Sequence, residues 1–177
     1  MTRLEASANG SSDLLPDGRI VVGVGDMAVS SDPATEIITY ALGSCIGVAV
    51  YDPVVKVGGL LHFMLPLAGE SPNRAARPSM YGDTGIPLLF KSVYALGAVK
   101  ERLIVSAAGG AEILDDEGCF RVGSRNRTLL RKIFWQNSVL ISAEDTGGHS
   151  SRTMLMNLSD GKVQIRSQGV GRVIWPQ

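Results

Sequence analysis

The chain has 177 residues, 45% of them apolar, and its 17 basic and 17 acidic side chains cancel to zero formal charge. That composition describes one soluble globular domain and excludes disorder over most of the length. It also argues against nucleic acid as the main partner, because phosphate binding is driven by local excesses of Lys and Arg.

Residues 1 to 19 are rich in Ser, Asn, Asp and Gly and read as a flexible arm ahead of a single domain over 20–177. The arm has no apolar block of the kind a secretory signal needs, so a cytoplasmic protein is expected. Asp52 and Lys56 interrupt the apolar stretch from Ile46 to Ala68, which is therefore no membrane span, and no direct membrane insertion is expected. Short β-branched runs then predict four strands: RIVVGV, TEIITYAL, CIGVAVYD and KVGGLLHFMLP. The last two are nearly continuous in apolar character, as strands covered on both faces would be. A Gly/Ser/Pro/Asn-rich loop from Ala68 to Thr84 follows. GIPLLFKSVYALGAVKE then predicts an amphipathic helix with Ile86, Leu89, Phe90, Val93 and Leu96 on one face and Pro87 in its first turn.

RLIVSAAGG reads as a buried strand. SRNRTLLRKIFWQN reads as a second helix, capped by Ser124 and turning Leu129, Leu130, Ile133 and Phe134 inward. VLISAED, RTMLMNL and VQIRS are the final strands, the last two joined by a turn at Asp160-Gly161. The order predicts an α/β (α+β) fold, a mixed, largely antiparallel β-sandwich flanked by helices, and it lacks the βαβ alternation of a dinucleotide-binding domain.

Several patterns carry little chemistry. Gly23-Val24-Gly25-Asp26-Met27-Ala28 resembles a dinucleotide fingerprint but opens no helix, so it reads as a turn. Thr146-Gly147-Gly148-His149-Ser150-Ser151 lacks the Lys of a phosphate loop and reads as a connection. His62, His149, Cys45 and Cys119 show no metal-ligand spacing, so neither a metal nor another cofactor is expected. The basic run through Arg121, Arg125, Arg127, Arg131 and Lys132 reads as a solvated helix surface or as a means of steering an acidic partner.

TYALGSCIGVAVYD, with KVGGLLHFMLP behind it, is the most informative segment. Cys45 follows two small residues, and His62 lies 17 residues later in a separate strand. If the two strands pair about a turn near Asp52-Pro53, His62 returns toward Cys45. An imidazole that takes the thiol proton would hold the sulfur as the thiolate of an ion pair. Gly43 and Ser44 let a substrate carbonyl approach backbone N–H groups, and Thr39 has a hydroxyl able to orient the imidazole. The residues alone leave a second reading open, in which Cys45 is a buried structural thiol and His62 a core histidine.

VGVGDMAVS, Thr39-Tyr-Ala-Leu-Gly-Ser-Cys45, His62-Phe-Met-Leu-Pro66, Tyr81-Gly-Asp-Thr, Gly109-Gly-Ala111, Val122-Gly-Ser-Arg-Asn126 and Asp145-Thr-Gly-Gly-His-Ser-Ser-Arg152 together resemble the CheD family of chemoreceptor glutamine deamidases. The resemblance runs from about Ile20 to Ile174. It implies a cysteine nucleophile at Cys45, a general base at His62 and a histidine-orienting hydroxyl at Thr39, with no cofactor. It also implies a fold similar to the deamidating domain of cytotoxic necrotizing factor toxins. The implied partners are chemoreceptor cytoplasmic helices and a CheC-type chemotaxis phosphatase. A regulatory module that binds such a phosphatase with little deamidase activity, and a general amidase or protease using the same residues, are the alternative readings.

Overall fold

The computed structural model describes residues 13–70, 75–112 and 121–176. Among these, eleven strands form two sheets, with two α-helices on one side. The six-stranded sheet has the order β1 (Asp13–Leu14), β2 (Arg19–Val22), β4 (Glu36–Leu42), β9 (Arg152–Asn157), β10 (Val163–Ser167), β11 (Val170–Trp175). The five-stranded sheet runs β3 (Asp26–Ser30), β6 (Val57–Phe63), β5 (Ile46–Asp52), β7 (Ile104–Gly109), β8 (Ala143–Thr146). Helices α1 (Gly82–Ala95) and α2 (Val122–Gln136) cover the outer face of the smaller sheet. The molecule thus has three layers, sheet on sheet on helix, in agreement with the class read from the sequence.

The alternation of side chains along β5 and β6 builds both cores at once. Ile46, Val48, Val50, Leu61 and Phe63 point to the helices and meet Leu89, Val93, Leu130 and Phe134. Ala49, Tyr51 and Leu60 point the other way and meet Ile37, Met154, Met156 and Ile165 of the larger sheet. Every residue of both strands is buried. Each large apolar side chain so enclosed contributes about 1.5–3 kcal/mol. The β5–β6 hairpin is therefore the middle of the fold, and its register, with Ile46 opposite Phe63 and Asp52 opposite Val57, is fixed from both faces.

Several elements differ from expectation for identifiable reasons. Strand β3, read as turn and loop, is a buried edge strand that follows a reversal at Gly23–Gly25. Strand β11 adds a last hairpin after Gln168 and Gly169, both at positive φ. Two pairings are parallel, β2 with β4 and β7 with β8, because β3 and α2 respectively carry the chain across between them. Helix α1 starts at Gly82, so Pro87 lies inside it and not in its first turn. Helix α2 starts at Val122 after Arg121 in the left-handed region, and Ser124 is no cap; its carbonyl accepts a hydrogen bond from the Thr128 hydroxyl. On α2, Leu130 and Phe134 are buried, while Leu129 and Ile133 are half-buried. The turn at Asp160-Gly161 joins β9 and β10 as expected.

Candidate active site

Thr39, Cys45 and His62 all face the gap between the sheets. Thr39 lies two residues after Ile37, His62 two after Leu60, and Cys45 two before Gly47 and four before Ala49, so strand alternation puts each on the inner side. Gly47 is the cross-strand partner of His62, which sets Cys45 one strand over and just beyond the end of the ladder. A register shift between Thr39 and Leu42, with Ala41 at φ 56°, interrupts the pairing of β4 with β9, which resumes at Leu42 opposite Arg152. The resulting bulge exposes Tyr40 and turns the chain into Gly43-Ser44-Cys45.

At this end a hydrogen-bond chain crosses the gap. The Thr39 hydroxyl lies 2.7 Å from His62 Nδ1 and 2.7 Å from the Val22 carbonyl oxygen. A hydroxyl has one proton, and a carbonyl only accepts, so the Thr39 proton goes to Val22. Nδ1 must then carry the imidazole proton and donate it to Thr39 Oγ1. In the neutral ring Nε2 is left as a lone pair, and it has no hydrogen-bond partner among the described residues. The larger sheet thus fixes the tautomer of a histidine held in the smaller one.

Burial sets the charges. Desolvation lowers the pKa of His62 from 6.5 to about 4. It pushes the Cys45 thiol up, opposed only by a hydrogen bond from the residue's own backbone N–H. Both shifts favour a neutral thiol and a neutral imidazole over the expected ion pair, and among the described residues no cation lowers the pKa of the sulfur. His62 is fully enclosed, whereas Cys45 is half-buried and open at the end of the gap.

The loop carrying Cys45 is held from behind. Gly110 N–H donates to the Cys45 carbonyl at 2.7 Å, and Ala111 N–H to that of Gly43 at 2.8 Å. Asn126 Nδ2, from α2, donates to the carbonyls of Ser44 and Met64, both at 2.9 Å. Two glycines make this approach possible: a Cβ on Gly109, at φ +105°, would lie 2.2 Å from the Cys45 carbonyl oxygen, and one on Gly123 would lie 2.3 Å from that of Ala111. Gly43 N–H donates to Ala41, while those of Ser44 and Cys45 take no part in these backbone bonds. Of the two residues expected to offer a substrate approach, Ser44 thus keeps its N–H, and Gly43 does not.

Residues 64–167, more than half of the chain, match the family described as CheD, chemotactic sensory transduction. A protein of Syntrophus aciditrophicus (strain SB) named probable chemoreceptor glutamine deamidase CheD 1 is 52% identical over 153 residues, covering 86% of this chain and 96% of that relative. The chain belongs to the CheD family. An Anaeromyxobacter dehalogenans (strain 2CP-C) protein named probable chemoreceptor glutamine deamidase CheD 2 is 46% identical to this CheD chain over 149 residues, 84% of it and 94% of the relative. A Pyrococcus horikoshii relative named probable chemoreceptor glutamine deamidase CheD is 42% identical over 157 residues, 88% and 96% of the two chains.

In this CheD chain, two buried polar residues near the site went unassigned in the sequence. Asp26 is the cross-strand partner of His62 on β3; burial raises its pKa, its Oδ1 accepts from Met27 N–H, and its Oδ2 has no partner among the described residues. Asn126 stands in a basic run that hid its role, although its spacing from Leu130 and Phe134 marks it as inward-facing. Within the basic run, Arg127 pairs with Glu112 and donates to Gly110, and Arg131 pairs with Glu144 at 2.9 Å. Asp145 joins Arg152 and Arg172 at 3.1 and 2.7 Å, tying the last strand of one sheet to the other. Among the described residues no group of three or more His, Cys, Asp or Glu is placed to hold a metal. Cys119 lies outside the described residues.

Proposed function

We propose that this CheD protein hydrolyses glutamine side chains of chemoreceptors to glutamate, with Cys45 as nucleophile, His62 as proton carrier and Thr39 as the group that orients His62. The names of the relatives support the reaction and the receptor substrate. The observation that carries the residue assignment is the tautomer: Thr39 and Val22 leave His62 Nε2 as an unpartnered base on the inner face to which Cys45 also belongs.

The chemistry follows from the neutral resting pair. As Sγ attacks the glutamine amide carbon, Nε2 takes the thiol proton, so the sulfur gains charge only while it is bonding. Backbone N–H groups at Ser44 and Cys45 receive the developing oxyanion. The tetrahedral intermediate collapses as His62 returns the proton to the amide nitrogen, which leaves as ammonia, and a thioester remains on Cys45. Water enters, loses a proton to Nε2 and attacks the thioester carbon; Cys45 departs as the thiol and glutamate is released. Amide plus water has become acid plus ammonia, and each turnover adds one negative charge to the receptor.

The substrate glutamines lie on the cytoplasmic helices of receptors, so the protein acts in the cytoplasm; among the described residues no helix is long and apolar enough to cross a membrane. Binding to a CheC-type phosphatase is compatible with this chemistry and separable from it, since a Cys45→Ala protein would keep the surface and lose the reaction. The deciding experiment incubates wild-type and Cys45→Ala proteins with a receptor cytoplasmic fragment and follows amide-to-acid conversion by mass spectrometry. Conversion by wild type alone is expected; conversion by the Cys45→Ala protein would overturn the assignment.

A further inference from the structure

The β5–β6 ladder closes at the pair Ile46–Phe63, and beyond it the carbonyls of Ser44 and Met64 both turn to one nitrogen, Asn126 Nδ2. Two carbonyls can be satisfied together only by the NH2 end of the amide, so the orientation of the side chain is determined. Asn126 is fully buried, and it comes from α2, which packs on the outer face of the smaller sheet. A trans peptide points its C=O and N–H in opposite directions. With the Ser44 carbonyl held toward α2, the N–H of the same peptide, that of Cys45, points away from the helix and toward the inner face. That is the side where strand alternation places Cys45 and His62, and the Cys45 N–H takes no part in the backbone bonds that hold the loop.

We infer that Asn126 is a positioning residue for the deamidation: by anchoring the Ser44 carbonyl it fixes the Cys45 N–H as the oxyanion donor, and by holding Met64 it locks the strand bearing His62 to the loop bearing Cys45. The inference rests on Cys45 being the nucleophile. Without the amide, the Ser44–Cys45 peptide is free to rotate, the donor leaves the line of the developing charge, and a buried carbonyl loses its partner. An aspartate of the same shape does not replace it, because its carboxyl has no proton to give when ionised and only one for two carbonyl oxygens when neutral.

Alkylation and deamidation separate this role from a merely structural one. Iodoacetamide displacement by sulfur creates no oxyanion, whereas acyl transfer does. The test takes wild-type, Asn126→Asp, Asn126→Ala and Cys45→Ala proteins, verifies cooperative thermal unfolding, then measures receptor-fragment deamidation and iodoacetamide labelling of the Cys45 peptide by mass spectrometry. Asn126→Asp fills the original volume and keeps the test available if Asn126→Ala does not fold. Folded Asn126 variants are expected to lose roughly ten- to a hundredfold in kcat with KM and Cys45 labelling changed by less than about threefold. Deamidation left within about threefold of wild type, or labelling that falls in step with it, overturns the inference. Deamidation by the Cys45→Ala protein instead overturns the nucleophile itself, a result distinguishable from an active Asn126→Asp beside an inactive Cys45→Ala.

Discussion

The two ends of the β5–β6 hairpin are built on opposite terms. At the turn, Asp52 is fully enclosed, and its carboxylate accepts N–H groups of Val54, Val55 and Val99 and a two-pronged contact from Arg102. Burial alone would raise its pKa, but the Arg102 guanidinium and the backbone N–H groups bring it to about 2. At the open end, equally enclosed polar atoms lack partners among the described residues: His62 Nε2, Asp26 Oδ2 and Asn126 Oδ1. Each unsatisfied buried group costs about 1–3 kcal/mol. One end of the hairpin thus holds its buried charge fully paired, while the other keeps polar atoms unpartnered among the described residues, beside the proposed nucleophile and base.

The contrast is broken most completely at Cys45. Cys45→Ala should reduce deamidation on the order of 10⁴-fold or more, read by mass spectrometry of receptor fragments, with the melting transition unchanged. His62→Ala should lose roughly 10³- to 10⁴-fold, and the double variant no more than the worse single, because nucleophile and base act as one unit. At the turn the reverse holds: Asp52→Ala should lower unfolding free energy by about 3 kcal/mol, seen in urea titration, while the folded fraction keeps its turnover. Thr39→Val should cost roughly tenfold, since the imidazole stays in place but its tautomer is no longer fixed.

The smallest effect sharpens the picture of charge. Turnover needs neutral His62, whose pKa is lowered to about 4, so the rate should persist as pH falls and decline only near 4. An acid limb at the ordinary imidazole value of 6.5 would show that the ring is not enclosed at work. Labelling of Cys45 by iodoacetamide should climb through the alkaline range, because burial raises the thiol; a flat profile at neutral pH would reveal an ion pair.

The sequence made the centre of the fold legible because strand alternation is local. Continuous apolar runs announced strands covered on both sides, and the turn near Asp52 brought His62 back beside the strand that Cys45 precedes. What escaped depends on distant partners. Asn126 meets Ser44 across 82 positions and had no signal beyond a helical face, whereas the Thr39 hydroxyl was legible as a group able to orient the imidazole and lies 2.7 Å from His62 Nδ1. Strand β3 was hidden by Asp26, a residue uncommon in strands, here buried against the neighbouring strand. The shifts away from an ion pair were hidden for a similar reason, since desolvation is a property of the assembled layers and not of a motif.

The hydrogen-bond chain from His62 through Thr39 to the Val22 carbonyl runs between strands of different sheets. A hairpin cut out of this protein would therefore carry sulfur and imidazole together and still be a poor catalyst. The smallest portable unit is a slab through the whole sandwich, so transplanting this reactivity onto another scaffold requires two facing walls at the correct spacing.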